Sequence, residues 1–269
     1  MLMSVASVVL AGSIFSSLGY AMTISQTLVF AIELLHSLVA AALLGALAEA
    51  ATGVVPMQLV IFLYSMFVSS LVAELVRRGV PRDSVVAFTA SLSAVIAVAS
   101  LWGLIYVTPL GVSRALGTLW GSALLVTLPD LAYLAVVAIT VVTVVELFDL
   151  EFKYISFDPE LAAASGLNVR AYYYLIYATA SLSLSAAVKV YGSILASVLV
   201  VLPGMAAQYV FKKIDLRVFL LVGVLVSTLG YAVSLALGAQ TSLCVGVVGL
   251  AVLALGTTSR WVYDRRFNT

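Results

Sequence analysis

The chain has 269 residues, 64% of them hydrophobic and 9% charged, which leaves too little polar sequence to coat a water-soluble globule. Thirteen Lys and Arg against twelve Asp and Glu give a formal charge of +1, which excludes a nucleic-acid binder that depends on phosphate attraction. One cysteine, Cys244, excludes an internal disulfide framework and sits in an apolar run as a small packing residue.

A spanning helix needs about 20 apolar residues. Apolar stretches between the charge clusters fall near 4–24, 27–50, 54–76, 84–107, 130–149, 171–189, 191–211, 217–237 and 241–257. They predict an all-helical integral membrane protein, a bundle of eight to nine crossings filling a single transmembrane domain over 1–269, with no strand pattern of the kind an outer-membrane barrel requires. Residues 1–32 carry no charge, so the first stretch lacks the basic start of a secretory signal and reads as a retained first helix. The segment 115–128 is too short to span and is stopped by Pro129, which predicts a re-entrant half-helix.

Orientation follows from Lys and Arg in short loops. Arg77, Arg78 and Arg82, then Lys153 and Arg170, then Lys212, Lys213 and Arg217, and finally Arg260, Arg265 and Arg266 fall on one side if there are nine crossings. That side collects eleven of the thirteen basic residues, leaving Arg114 and Lys189 opposite. It is expected to be the cytoplasm of a cell membrane, with the N-terminus outside and the C-terminus inside.

Between the fifth and sixth stretches, Phe157-Asp-Pro-Glu-Leu-Ala-Ala-Ala-Ser-Gly-Leu-Asn-Val-Arg170 is punctuated as a short helix over about 158–167. Asp158 is a suitable N-cap, Pro159 is pre-set for the first helical position, Glu160 suits the positive end of the dipole, and Gly166 supplies the left-handed stop. Two turns are marginal alone in water and need something to dock against. The apolar face of Leu161, Ala162, Ala163 and Ala164 is compatible with a groove on another protein and equally with the chain's own cytoplasmic rim.

Ionisable groups inside apolar spans cost about 2.5–3.5 kcal/mol each on insertion scales and therefore require a partner or a use. Glu33 and His36 are spaced i and i+3 on one face of the second helix. A carboxylate and a neutral imidazole are ligands for Zn²⁺, Mn²⁺ or Fe²⁺, and are equally able to neutralise each other as a hydrogen-bonded structural pair. Glu49 reads as a helix-end carboxylate, Glu74 as a helix partner of Arg78, Asp130 as a helix-start acid, and Glu146 and Asp149 as boundary acids within reach of Lys153. Pro203-Gly204 interrupts a run containing Gly192, Ser193 and Ser197, either as part of a wet pathway or as a packing kink.

Several of these segments together resemble the membrane subunits of zinc, manganese and iron ABC importers, the ABC-3 permease family. Phe157-Asp-Pro-Glu-Leu-Ala with Gly166-Leu-Asn-Val-Arg170 is similar to that family's cytoplasmic coupling helix. Val190-Tyr-Gly-Ser through Leu202-Pro-Gly-Met-Ala-Ala207 resembles its Gly-rich helix, Leu119-Trp-Gly-Ser with Asp130 its short segment before an acid, and Arg82-Asp-Ser-Val-Val the start of a helix with an early acid. His36-Ser37 resembles its Asp-Ala-Leu-Ser-His-Ser, although the acid here is Glu33, three residues before the histidine, where the family places it four before. The family's Pro-Gly after the histidine is replaced by Ala40-Ala41, and no basic turn follows the first helix.

The resemblance implies a homodimer of this chain over two copies of a cytoplasmic ATP-binding subunit, fed by an extracytoplasmic metal-binding lipoprotein. It implies no permanently bound cofactor and no catalytic residue, the divalent metal ion being cargo. The chain contains no Gly-x-x-x-x-Gly-Lys-Ser/Thr phosphate loop, so ATP cannot be held here by that device. Three other readings are a siderophore-iron or cobalamin type of ABC permease, an ion-gradient-driven secondary transporter, and a membrane scaffold. The secondary transporter would show inverted repeats, and no convincing repeat relates the two halves.

Overall fold

The computed structural model describes residues 2–25, 28–107, 117, 120, 121, 123–211 and 213–267, without the side chains of 28–36, 82, 125, 189, 193–195, 197, 198, 209 and 259–267. Among the described residues the chain is helical, in ten helices: α1 Leu2–Ile24, α2 Leu28–Thr52, α3 Met57–Arg77, α4 Arg82–Val107, α5 Leu128–Leu147, α6 Asp149–Phe157, α7 Pro159–Ala164, α8 Val169–Met205, α9 Leu216–Leu237 and α10 Thr241–Phe267. A 3-10 turn at Ala123–Leu125 precedes α5, and a π-helical turn at Ala206–Phe211 follows α8. Six of these helices are long and apolar enough by themselves to cross a membrane.

Local chemistry sets the ends. α5 starts with a capping box, in which Asp130 Oδ2 accepts from the backbone N–H of Thr127 at 2.8 Å and Pro129 occupies the first turn. α3 stops at Gly79, whose φ of +81° admits the left-handed turn, and the Val80 N–H returns to the Leu75 carbonyl at 3.2 Å. Asp215 caps α9 by accepting from the Arg217 N–H at 2.9 Å. Glu49 accepts from the Met57 N–H at 3.2 Å, which ties the end of α2 to the start of α3.

α1 lies at the centre. Its residues Ser4, Val8, Ala11, Phe15, Leu18 and Met22 are all buried, against α8, α9 and α5. Small residues bring the backbones together: a Cβ on Gly223 of α9 would stand 1.5 Å from Ser16 Oγ, and one on Gly19 would stand 2.2 Å from the Val200 carbonyl oxygen of α8. Many buried hydroxyls bond to carbonyls of their own helices, as where Ser16 Oγ donates to the Gly12 carbonyl at 2.6 Å and Ser183 Oγ to the Thr179 carbonyl at 2.7 Å. Tyrosines tie helix to helix: Tyr64 Oη donates to Ser93 Oγ at 3.2 Å, and Tyr191 Oη to the Val8 carbonyl at 2.9 Å.

The two spans that the sequence places at 171–189 and 191–211 lie in the structure as the two limbs of α8, broken between them at Gly192. A straight helix of its 37 residues would reach about 55 Å, well beyond a hydrocarbon core of about 30 Å. The run folds back at Gly192, whose φ of +73° is non-helical. Tyr172, near its start, packs edge-on against Phe148 and Phe152, and Ile214 to Arg217, just past its far end, line a cavity with Asp149 and Lys153. Both limbs therefore begin and finish at the same end of the bundle. At the opposite end Gly121, with φ +68°, backs onto the reversal, since a Cβ there would lie 2.1 Å from the Gly192 nitrogen. The Trp120 carbonyl beside it accepts from Ser242 Oγ at 2.8 Å and so anchors the turn between α9 and α10.

Two sequence readings change. The stretch after Asp149 forms helix α6, because Phe148 bends the chain and Phe152 and Ile155 give the segment its own buried face. α10 extends through Phe267, ten residues past the predicted span, because nothing from Thr258 onward is Gly or Pro. Of the half-helix expected at 115–128, residues 115, 116, 118, 119 and 122 lie outside the described residues, and the described part holds a 3-10 turn at Ala123–Leu125.

Candidate coupling segment and translocation helices

The most fully formed candidate site is α6–α7, at the end of the bundle that carries Arg77, Lys153, Arg170 and Arg217. Asp158 Oδ1 accepts from the backbone N–H groups of Glu160 at 3.0 Å and Leu161 at 2.9 Å, with Pro159 at the first helical position. Beyond the six-residue helix, Gly166 takes φ +91°, its N–H returns to the Ala163 carbonyl at 3.0 Å and the Leu167 N–H to the Ala162 carbonyl at 3.1 Å. Both ends are thus closed by the residues whose types announce them.

The four apolar residues Leu161 to Ala164 of α7 do not share one fate. Ala162 is completely buried, whereas Leu161, Ala163 and Ala164 are exposed together with Glu160. Ala162 holds the helix down on the protein; the other three form the surface it presents. α6 supports it from below, with Phe152 and Ile155 buried and an aromatic cluster of Phe148, Phe152 and Tyr172 at centroid separations of 5.7 to 6.3 Å. Tyr154 Oη and Ser165 Oγ, 2.9 Å apart, staple α6 to the end of α7.

At the base of α6, Asp149 receives Lys153 Nζ at 2.6 Å and Tyr20 Oη of α1 at 2.5 Å. The Asp149 carboxylate holds the Lys153 ammonium above its usual range, because the hydrogen bond favours the charged form. The Lys153 side chain is 45% exposed, so the ion pair by itself is a weak one. The boundary acids and Lys153 are legible in sequence, but the Tyr20 contact is not, since 129 residues separate it from Asp149.

The backbones of Glu33 and His36 lie in α2, which packs against α3, α4 and α8. Their side chains lie outside the described residues, as does that of Ser193. Among the described residues no group of three or more His, Cys, Asp or Glu is placed to hold a metal ion. Pro203 and Gly204 do not interrupt α8: both are buried inside it, and the irregularity comes later, as the π turn at Ala206–Phe211. Gly204 serves as a point of close approach, where a Cβ would meet Thr23 Oγ1 and Phe219 Cε1, both at 3.2 Å. The backbone break belongs to Gly192. Glu74 pairs with Arg78 at 2.8 Å as spaced, and with Arg77 at 2.6 Å as well.

The profile of the ABC 3 transport family matches residues 2–259. The chain belongs to that family. This ABC 3 permease is therefore the membrane subunit of an ABC transporter and an integral membrane protein, a family role that works with a separate ATPase and a substrate-binding partner. Its fold is shared with a chain of "PsaBC from Streptococcus pneumoniae in complex with Fab", at a TM-score of 0.77 and 17% identity, over 95% of this chain and 90% of that one. A protein described as a metal-chelate type ABC transporter in an inward-facing conformation aligns at a TM-score of 0.72 and 15% identity, over 96% and 85% of the two chains. A search of the curated proteins finds no match.

Proposed function

We propose that this permease imports divalent transition-metal ions, Zn²⁺, Mn²⁺ or Fe²⁺, as a homodimer over two cytoplasmic ATP-binding subunits. An extracytoplasmic metal-binding lipoprotein delivers the ion. The observation that carries the reading is α7, a doubly capped helix that buries Ala162 and presents Leu161, Ala163 and Ala164 at the basic end of the bundle. In this reading that end is the cytoplasmic face of the cell membrane, the N-terminus lies outside and the C-terminus inside. The exposed face of α7 enters a groove on the ATPase, and nucleotide-driven closure of that partner alternates the bundle between outward and inward access.

Glu33 and His36 are the ligands offered to the ion in transit. A carboxylate and an imidazole hold a borderline divalent cation, and two ligands per subunit leave it loose enough to be released. The helix reversal at Gly192, with Ser193 beside it, is the second place where backbone oxygens are available to a passing ion.

Uptake of radioactive Mn²⁺ and Zn²⁺ by the reconstituted complex, normalised to assembled protein, tests the reading. With transient ligands, His36→Leu leaves assembly intact while uptake falls steeply. With a structural pair, His36→Leu strands Glu33 and lowers stability, and adding Glu33→Gln restores it. Full uptake by the well-folded double variant removes both residues from the path. The fold is also that of the metal-chelate type transporter, so a chelated ion is the second reading. Uptake of an iron–siderophore complex in preference to the free ions selects it.

A further inference from the structure

Asp149 is the first residue of α6, immediately after Phe148, which leaves helical geometry at φ −106°, ψ 19° and bends α5 into α6. A bend of one residue is a pivot: a force on α7 would swing α6 about Phe148 and leave the spanning helices where they were, unless α6 is tied to them. The aromatic contacts of Phe148 and Phe152 with Tyr172 hold α6 against α8 through edge-to-face packing and involve no donor–acceptor bond. The directional tie is at the pivot itself. Tyr20 Oη donates to Asp149 Oδ1 at 2.5 Å while Lys153 Nζ, one turn further along α6, donates to the other oxygen of the same carboxylate at 2.6 Å. Tyr20 is 1% exposed, and its ring meets the edge of Phe219 in α9 at a centroid separation of 5.2 Å. A cavity of about 290 Å³ beside this cluster is lined by Tyr20, Glu146, Asp149, Lys153, Asp215 and Arg217, which leaves room for the groups to shift. The contacts therefore run without interruption from α7, through Asp158 and α6, to α1 and α9.

We propose that the Tyr20–Asp149 hydrogen bond is the positioning link that delivers movement of α7 to α1 and α9. The inference rests on the proposed docking of α7 in an ATPase. Tyr20 touches no cargo; it acts through Asp149 by pinning the pivot, so that a displacement of α7 becomes a displacement of the central helix. Lys153 orients the carboxylate and is secondary.

The test uses the full complex with its ATPase in proteoliposomes. Tyr20→Phe removes one oxygen and keeps the ring against Phe219. ATPase association and ATP hydrolysis stay within about twofold of the parent, while Mn²⁺ and Zn²⁺ uptake per ATP hydrolysed falls roughly tenfold, the population factor that one charge-assisted hydrogen bond sets. Lys153→Met leaves the ratio within about twofold, because the tyrosine bond survives. An unchanged ratio in Tyr20→Phe overturns the proposal. A readout that needs no cargo is the ATP-driven change in distance between spin labels at Glu160 and Ala236, on α7 and at the far end of α9. The parent shows this change and Tyr20→Phe loses it; retention overturns the link. If Tyr20→Phe does not assemble, Asp149→Asn, whose amide oxygen still accepts from Tyr20, is compared with Asp149→Leu, and equal ratios overturn the link. Loss of the docking reading shows elsewhere, as an ATPase that binds equally well when the exposed face of α7 is blocked.

Discussion

Two neighbouring alanines in α7 separate folding from docking. Ala162 has no exposed surface, and Ala163 beside it is exposed. Ala162→Trp forces an indole into a space that holds a methyl group, an overpacking that costs about 1–3 kcal/mol and more where the backbone cannot yield. α7 has six residues and little stability of its own, so this substitution detaches it and lowers both assembly and thermal stability. Ala163→Trp places the same indole in solvent, where surface substitutions usually stay within about 0.5 kcal/mol. The isolated permease is expected to accept it with unchanged melting temperature. If the exposed face enters a groove shaped for a methyl, the same overpacking cost falls on the complex. A penalty of about 2–3 kcal/mol weakens ATPase association roughly 30- to 150-fold. The assay is ATPase binding to detergent-solubilised permease by titration, beside the melting temperature of each variant and transport by the complex. Ala163→Trp with parental stability, association within about threefold and normal transport would refute the argument.

Gly223→Val tests the centre of the bundle: a Cβ there would stand 1.5 Å from Ser16 Oγ, so α9 must move off α1 and thermal stability is expected to fall by about 1–3 kcal/mol or more. Ser16→Gly in the same chain should return part of that loss, and a Gly223→Val melting temperature equal to the parent's would show that the helices do not meet there. Cysteine accessibility at Ser156→Cys and Ser259→Cys in intact cells is expected to report the same side of the membrane, the cytoplasmic one; opposite sidedness would remove the nine-crossing topology and the coupling role of α7 with it.

Membrane residence, the approximate positions of the spans and the punctuation of α7 are legible in the sequence because each depends on neighbours a few residues away. Apolar runs between charge clusters locate helices within a few residues, as with 84–107 against Arg82–Val107. Asp158, Pro159 and Gly166 act on backbone groups one to three residues distant, so their residue types suffice. Glu33 and His36 are readable as a spaced pair for the same reason, although their side chains lie outside the described residues.

What only the tertiary structure decides is which faces are inside. In a lipid-soluble chain the interior and the exterior are both apolar, so hydrophobic periodicity does not mark a buried face as it does in water. Nothing in its composition singles out α1 as the central helix, and nothing in Leu161 to Ala164 says that Ala162 alone turns inward. The reversal at Gly192 depends on Gly121, 71 positions earlier, standing against it, and the tie between Tyr20 and Asp149 joins residues 129 apart. These contacts are set by the close approach of small residues and by single directed hydrogen bonds between helices, which local sequence pattern does not encode.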